Sequence, residues 1–129
     1  MRYLGIDFGK KRVGLSFSDE DGKIAFPLFV LENSEKIIEE IKKIILDKKI
    51  DKVVMGESKD FNMNENPIME DIKMFSEKLL QNKIPVVFHP EFLTSQEAIQ
   101  IQGKNEMLDA SAATIILQSY LDKQKNDIN

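Results

Sequence analysis

The chain has 129 residues, of which 42% are hydrophobic and 31% are charged, and its formal net charge is −4. This length fits a single globular domain with a core of its own. We expect neither a transmembrane helix nor a signal peptide, because the chain has no apolar run long enough for the first and no basic and apolar leader for the second. The negative charge argues against a protein that coats nucleic acid by bulk electrostatics.

Cysteine is absent, and histidine occurs once. The composition therefore excludes disulfides, thiolate metal sites and a multi-histidine zinc site within one chain. It is consistent with a reducing cytoplasm. Any bound metal would need oxygen ligands, which favours Mg²⁺ or Mn²⁺.

The N-terminal third of the chain predicts three consecutive strands. Residues 2–8 and 12–19 alternate between apolar and small or polar side chains and are separated by the turn Gly9-Lys10-Lys11. Asp21-Gly22 is typical of a hairpin turn, and a third strand is predicted at 24–31. Short turns between the three strands indicate an antiparallel meander.

The rest of the chain alternates between helices and short strands. Isoleucines at helical spacing from Ile37 to Ile45 predict an amphipathic helix with Asn33 or Ser34 as its cap. Further elements are predicted as follows: a strand at 52–56, a helix that begins after Asn66-Pro67, a strand at 86–88, a helix from Thr94 to about Gln102, and a last helix at about 107–122.

This order predicts an α/β fold. We expect a mixed five-stranded sheet with helices on both sides, in which strands one to three are antiparallel and strands one, four and five are parallel. The predicted domain covers residues 1–123, and residues 124–129 are predicted to form a flexible tail.

Four acidic residues are predicted to meet at one edge of this sheet. Asp7 lies at the end of strand one, and Glu57 and Glu91 follow strands four and five. The carboxyl ends of these strands form the functional rim of a parallel sheet. Asp109 begins a helical stripe that continues through Ala113 and Ile116, so it is expected to point toward the sheet.

Clustered carboxylates repel one another unless cations lie between them. Such clusters commonly hold two Mg²⁺ ions roughly 4 Å apart, which catalyse phosphoryl transfer. Each acid also has a structural interpretation, as a turn former, a helix-dipole partner or loop surface. Their coincidence on one rim favours the catalytic interpretation, and Glu57 has the weakest case.

Four segments of the sequence resemble one known family. "YLGIDFGKKRVGLSFSD", "VVMG", "EFLTSQEA" and "LDASAATIILQSYLD" are similar, in order, to segments of the "putative pre-16S rRNA nuclease" family, also called Holliday junction resolvase-like proteins. The resemblance covers nearly the whole chain and implies a ribonuclease H-like fold. It also implies a hydrolase of phosphodiester bonds that acts in ribosome biogenesis.

Position by position, the resemblance implies catalytic and metal-binding roles for Asp7, Glu91 and Asp109, with Mg²⁺ or Mn²⁺ as the metal. Glu57 is not supported by the family pattern. Pro90 and Phe92 replace an acid and a base beside Glu91, and only one base, Lys104, precedes Asp109 where the family tends to carry several.

The expected substrate is structured nucleic acid. Lys10, Lys11 and Arg12 would bind its phosphates, although a solvated turn is an alternative for these three bases. Precursor 16S rRNA is favoured, branched DNA is the alternative, and ribosomal particles are possible partners. A monomer and a homodimer both remain open, as does a non-catalytic module of the same fold. A nucleotide-binding domain of the actin and sugar-kinase type is disfavoured, because such proteins close two domains over the nucleotide.

Overall fold

A computed structural model describes residues 1–58, 68–91 and 107–128. Within these ranges the chain forms five strands and three helices. In chain order they are β1 (Tyr3–Phe8), β2 (Arg12–Ser18), β3 (Ala25–Glu32), α1 (Ile37–Lys48), β4 (Lys52–Ser58), α2 (Ile68–Gln81), β5 (Val86–Glu91) and α3 (Met107–Ile128).

The five strands form one mixed sheet in the order β3-β2-β1-β4-β5. β1 pairs with β2, and β2 with β3, in antiparallel fashion, whereas β4 pairs with β1 and with β5 in parallel fashion. The predicted sheet is therefore confirmed. β4 and β5 extend further than predicted, because their pairing continues through polar residues to Ser58 and Glu91.

The first face of the sheet carries the larger apolar core. Leu4 and Ile6 of β1 point to this face, where Ile41 of α1 and Leu79 of α2 are fully buried against the sheet. Alternate residues of a strand point to opposite faces. The stripe of isoleucines and leucines on these two helices thus explains why both pack on the same side.

The second face of the sheet is covered by α3. Ile116 and Leu117 of this helix pack against Tyr3 and Val54. The helix lies very close to the centre of the sheet, because a Cβ atom on Gly5 would be 2.8 Å from Leu117 Cβ and 3.0 Å from the Ala113 carbonyl oxygen. The absence of a side chain at position 5 is what permits this contact.

Two predicted boundaries are wrong. α1 begins at Ile37 with Lys36 at its N-cap, and no side chain caps it. Ser34 instead forms a turn with Lys36, whose backbone N–H donates to Ser34 Oγ at 3.2 Å. α3 continues to Ile128, six residues beyond its predicted end at 122.

The predicted helix at 94–102 and the predicted cap at Asn66-Pro67 lie outside the described residues. The division into a domain of 123 residues and a tail remains a prediction. None of the helices in the described ranges has the length and apolar character needed to cross a membrane.

Candidate nuclease site at the carboxyl end of the sheet

Asp7 lies near the end of the central strand β1, opposite Gly14 of β2, and is half-buried. Tyr3, Gly5 and Asp7 are two residues apart along the strand, so they share one face of the sheet. Tyr3 and Gly5 both contact α3. Asp7 therefore lies on the α3 side of the sheet.

β5 and α3 bring the other two predicted acids to the same end of the sheet. β5 is parallel to β1 through β4, and Glu91 is its last residue, paired with Ser58. α3 runs in the opposite direction to β1, because its Tyr120 contacts Tyr3 at the start of β1 (ring centroids 5.6 Å apart) while the earlier Ala113 lies over Gly5. The first turn of α3, which contains Asp109, is consequently directed toward the end of β1 that carries Asp7.

The backbone thus places all three positions at the carboxyl end of the sheet. The side chains of Glu91 and Asp109 lie outside the described residues, so the distances among the three carboxylates remain a prediction. Within the part of the chain whose side chains are described, no group of three or more Asp, Glu or His residues could hold a metal ion.

Glu57 does not share the face of Asp7. Met55 belongs to the core on the first face, and Gly56 faces Ile116 of α3, 2.8 Å from where its Cβ would lie. Alternation then directs Glu57 to the first face, with Met55. The structure therefore gives no support to Glu57 as a fourth acid beside Asp7.

His89 forms a polar contact between β5 and α3, two residues before Glu91. Its Nε2 atom lies 2.9 Å from Ser119 Oγ, and its ring meets the edge of Tyr120 at 6.0 Å. The hydrogen-bond partner of His89 is thus a side chain of α3. Burial, with a smaller effect from Lys123, lowers the pKa of His89, and Glu57 opposes this shift.

The basic turn, defined as Lys10, Lys11 and Arg12, begins three residues after Asp7 and is exposed. It borders an open depression of about 680 Å³ whose other wall is formed by residues 30–33. In the described ranges, none of these three bases forms an ion pair within 4.0 Å. Their charges are therefore available to an anion from solvent.

Asn33 fixes the basic turn, a role that sequence reasoning missed. Its Nδ2 donates to the Gly9 carbonyl at 2.9 Å, and its backbone N–H donates to the Lys11 carbonyl at 2.9 Å. The sequence indicated only a capping residue, because Asn before a helix usually serves as one. The contact between Asn33 and Gly9 joins residues more than twenty positions apart, so no local sequence pattern indicates it.

Solved structures of other proteins share the fold of this chain. The chain is similar in structure to Thermus thermophilus RuvC, with a TM-score of 0.60, 14% identity and coverage of 98% of this chain and 97% of that one. It is also similar to the Fowlpox virus resolvase solved with Holliday junction DNA, with a TM-score of 0.62, 10% identity and coverage of 96% and 99%. Identities this low show the fold alone, which is the ribonuclease H-like fold of resolvases.

Sequence comparison gives the family. The model of the RuvX family, described as Holliday junction resolvase, matches residues 1–123. A protein of Caldanaerobacter subterraneus subsp. tengcongensis named "Putative pre-16S rRNA nuclease" is 38% identical over 98% of this chain and 99% of its own length. The chain belongs to the RuvX family, and the resemblance seen in its motifs is confirmed.

Proposed function

We propose that this protein is a metal-dependent nuclease that hydrolyses phosphodiester bonds of precursor 16S rRNA during ribosome biogenesis, in the cytoplasm. The observation that carries the proposal is the convergence of Asp7, Glu91 and the first turn of α3 at one end of the sheet. Family membership supports the same chemistry, and the name of the Caldanaerobacter relative supports the substrate.

Asp7, Glu91 and Asp109 would hold the metal. The donor set fits a hard cation, because the chain has no cysteine and its one histidine is hydrogen-bonded to Ser119. Carboxylates are the ligands that Mg²⁺ and Mn²⁺ prefer. When bound, such a cation would neutralise phosphate charge and lower the pKa of a water molecule.

The protein's own residues supply position and charge. Asp7 belongs to the central strand β1, which pairs with β2 on one side and β4 on the other. The backbone that carries its carboxylate is therefore held in place. The basic turn, which begins three residues after Asp7, would bind phosphates that flank the bond to be cleaved. A phosphate backbone bound there would run past the carboxyl end of the sheet. All of these residues come from one chain.

The proposal is tested by a matched pair of variants, Asp7→Asn and Asp47→Asn. Both changes remove one negative charge, but Asp47 lies exposed on α1. With Mn²⁺ or Mg²⁺ and a precursor 16S rRNA fragment, Asp7→Asn is expected to reduce the cleavage rate about 100-fold or more, because metal catalysis contributes several kcal/mol. Asp47→Asn should cleave as fast as wild type.

Two results would contradict the proposal. Equal cleavage by wild type and Asp7→Asn would remove the metal-site assignment. Binding of ribosomal particles without any cleavage of RNA or DNA would favour a non-catalytic module.

A four-way DNA junction belongs in the same experiment, because the structural relatives include a resolvase solved with Holliday junction DNA. Faster cleavage of the junction than of the RNA would favour branched DNA as the substrate.

A further inference from the structure

The β1–β2 turn and the end of β3 are held together by one residue. Asn33 follows β3 directly and reaches the turn with two groups: its side-chain amide donates to the Gly9 carbonyl, and its backbone N–H donates to the Lys11 carbonyl. The second bond continues the ladder that pairs Arg12 with Glu32. The two contacts enclose Lys10 between them.

The turn is also closely packed on itself. A Cβ atom at position 9 would lie 2.6 Å from the Arg12 carbonyl oxygen, so only glycine fits there without a shift. Glycine in a turn leaves the unbound backbone with many alternative conformations. An external contact is therefore needed to hold one conformation, and the Asn33 amide supplies it at the Gly9 carbonyl.

Lys10 and Asn33 stand together at the boundary of two surface depressions. The first, of about 680 Å³, is bordered by the whole basic turn and residues 30–33. The second, of about 330 Å³, lies toward α1 and α2 and includes Phe8 and Lys78 among its walls. A phosphate backbone that followed this surface would meet Lys10 between the two depressions, beside the end of β1.

We propose that Asn33 is a positioning residue that fixes the basic turn in the conformation that binds the substrate's phosphates. The inference rests on the proposed role of the basic turn in binding nucleic acid. Lysines on a mobile turn must be ordered when they bind, and this ordering weakens affinity. With the turn fixed in advance by Asn33, that loss is reduced.

Binding is measured without divalent cations, so that cleavage does not interfere and the metal site plays no part. The probe is a labelled precursor 16S rRNA fragment. The variants are Asn33→Ala, the double variant Lys10→Ala/Lys11→Ala, and the combination of all three changes. Asn82→Ala is the matched control, because Asn82 is an exposed asparagine whose amide also donates to one backbone carbonyl, that of Lys78.

Asn33→Ala is expected to weaken binding about three- to tenfold, as the loss of one hydrogen bond that orders a charged turn predicts. The double lysine variant should weaken binding more and reduce the salt dependence by about two phosphate contacts. Added to the double lysine variant, Asn33→Ala should have almost no further effect, because residues that act through one another are not additive. Asn82→Ala should bind like wild type.

A second measurement separates positioning from general stability. Hydrogen–deuterium exchange in a peptide covering residues 9–12 should accelerate in Asn33→Ala, while exchange in α2 and the melting temperature stay unchanged. Wild-type affinity of Asn33→Ala would overturn the inference, and so would an equal loss of affinity in the presence and absence of the two lysines. Both results leave the proposed nuclease function intact, since cleavage by wild type and Asp7→Asn tests it separately.

Discussion

On one face of the sheet, α1 and α2 cover the larger cluster of aliphatic side chains, whereas on the other face α3 covers a smaller apolar cluster together with glycine and serine residues. The first face holds Leu4, Ile6 and Ile41, all fully buried. The second is connected to α3 by specific bonds, including one from Ser16 Oγ to the Ala113 carbonyl at 2.8 Å. Apolar packing tolerates small shifts, but hydrogen bonds and a glycine contact fix a register. The face that carries Asp7 is thus the one with the more exact geometry.

The largest effect on stability is expected from the first face. Ile41→Ala removes most of a fully buried side chain and should lower the free energy of unfolding by about 2–5 kcal/mol. Cleavage activity per folded molecule should remain unchanged, because Ile41 contacts only the core. Urea denaturation and the cleavage rate measure the two quantities. Leu46→Ala on the same helix is the control, since Leu46 is 79% exposed and its replacement should change stability by less than about 0.5 kcal/mol. A loss of specific activity in Ile41→Ala would show that the two faces are not separable.

A smaller loss of stability but a larger loss of activity is expected from the second face. In Gly5→Ala the new Cβ would clash with Ser16 Oγ of β2 and would lie 2.8 Å from Leu117 Cβ of α3, so α3 must move away from β1. Overpacking of this kind costs about 1–3 kcal/mol. Cleavage should fall as well, because the same helix carries Asp109.

The double variant Gly5→Ala/Ser16→Ala tests whether overpacking causes the loss of stability in Gly5→Ala. Ser16→Ala removes the nearest clashing atom, so the double variant should recover part of the stability lost in Gly5→Ala, although the contact with Leu117 remains. Wild-type stability of Gly5→Ala alone would contradict the close approach of α3 to the sheet. Thermal melting of the four proteins measures the coupling between the two positions.

The smallest effect is expected from His89 and depends on pH. Its pKa is lowered by burial from the ordinary 6.5, so the unfolded chain takes up a proton before the folded chain as the pH falls. Stability from this residue is therefore present above about pH 6.5 and decreases as the pH falls below it. His89→Gln, which can still bond to Ser119, should lose less stability than wild type between about pH 7 and pH 5. Parallel melting curves for the two proteins across this range would contradict the prediction.

The order of elements and the position of Asp7 could be predicted from the sequence, because they depend on local periodicity. Alternation along residues 2–8 predicted β1, and the place of Asp7 at its end put this residue at the carboxyl end of the sheet. The interaction of Asn33 with Gly9 could not be predicted, because it joins residues 24 positions apart and displaces the expected helix cap. The sequence also did not predict which face of the sheet Glu57 occupies. Its place after a strand indicates the end of the sheet at which it lies, but its face depends on the register of the strand.

α3 covers a sheet whose first strands are much earlier in the sequence: Ser16 and Ala113, which are hydrogen-bonded, are 97 positions apart. A ribosome adds roughly 5–20 residues per second, so on the order of ten seconds separates the synthesis of β1 from that of α3. During that interval the polypeptide can form the meander but cannot bring Asp109 to Asp7. Translation that stops before Met107 is expected to yield an inert product with Tyr3 and Val54 uncovered, a substrate for proteolytic quality control. If Asp7 and Asp109 act together as proposed, catalytic activity requires the synthesis of α3.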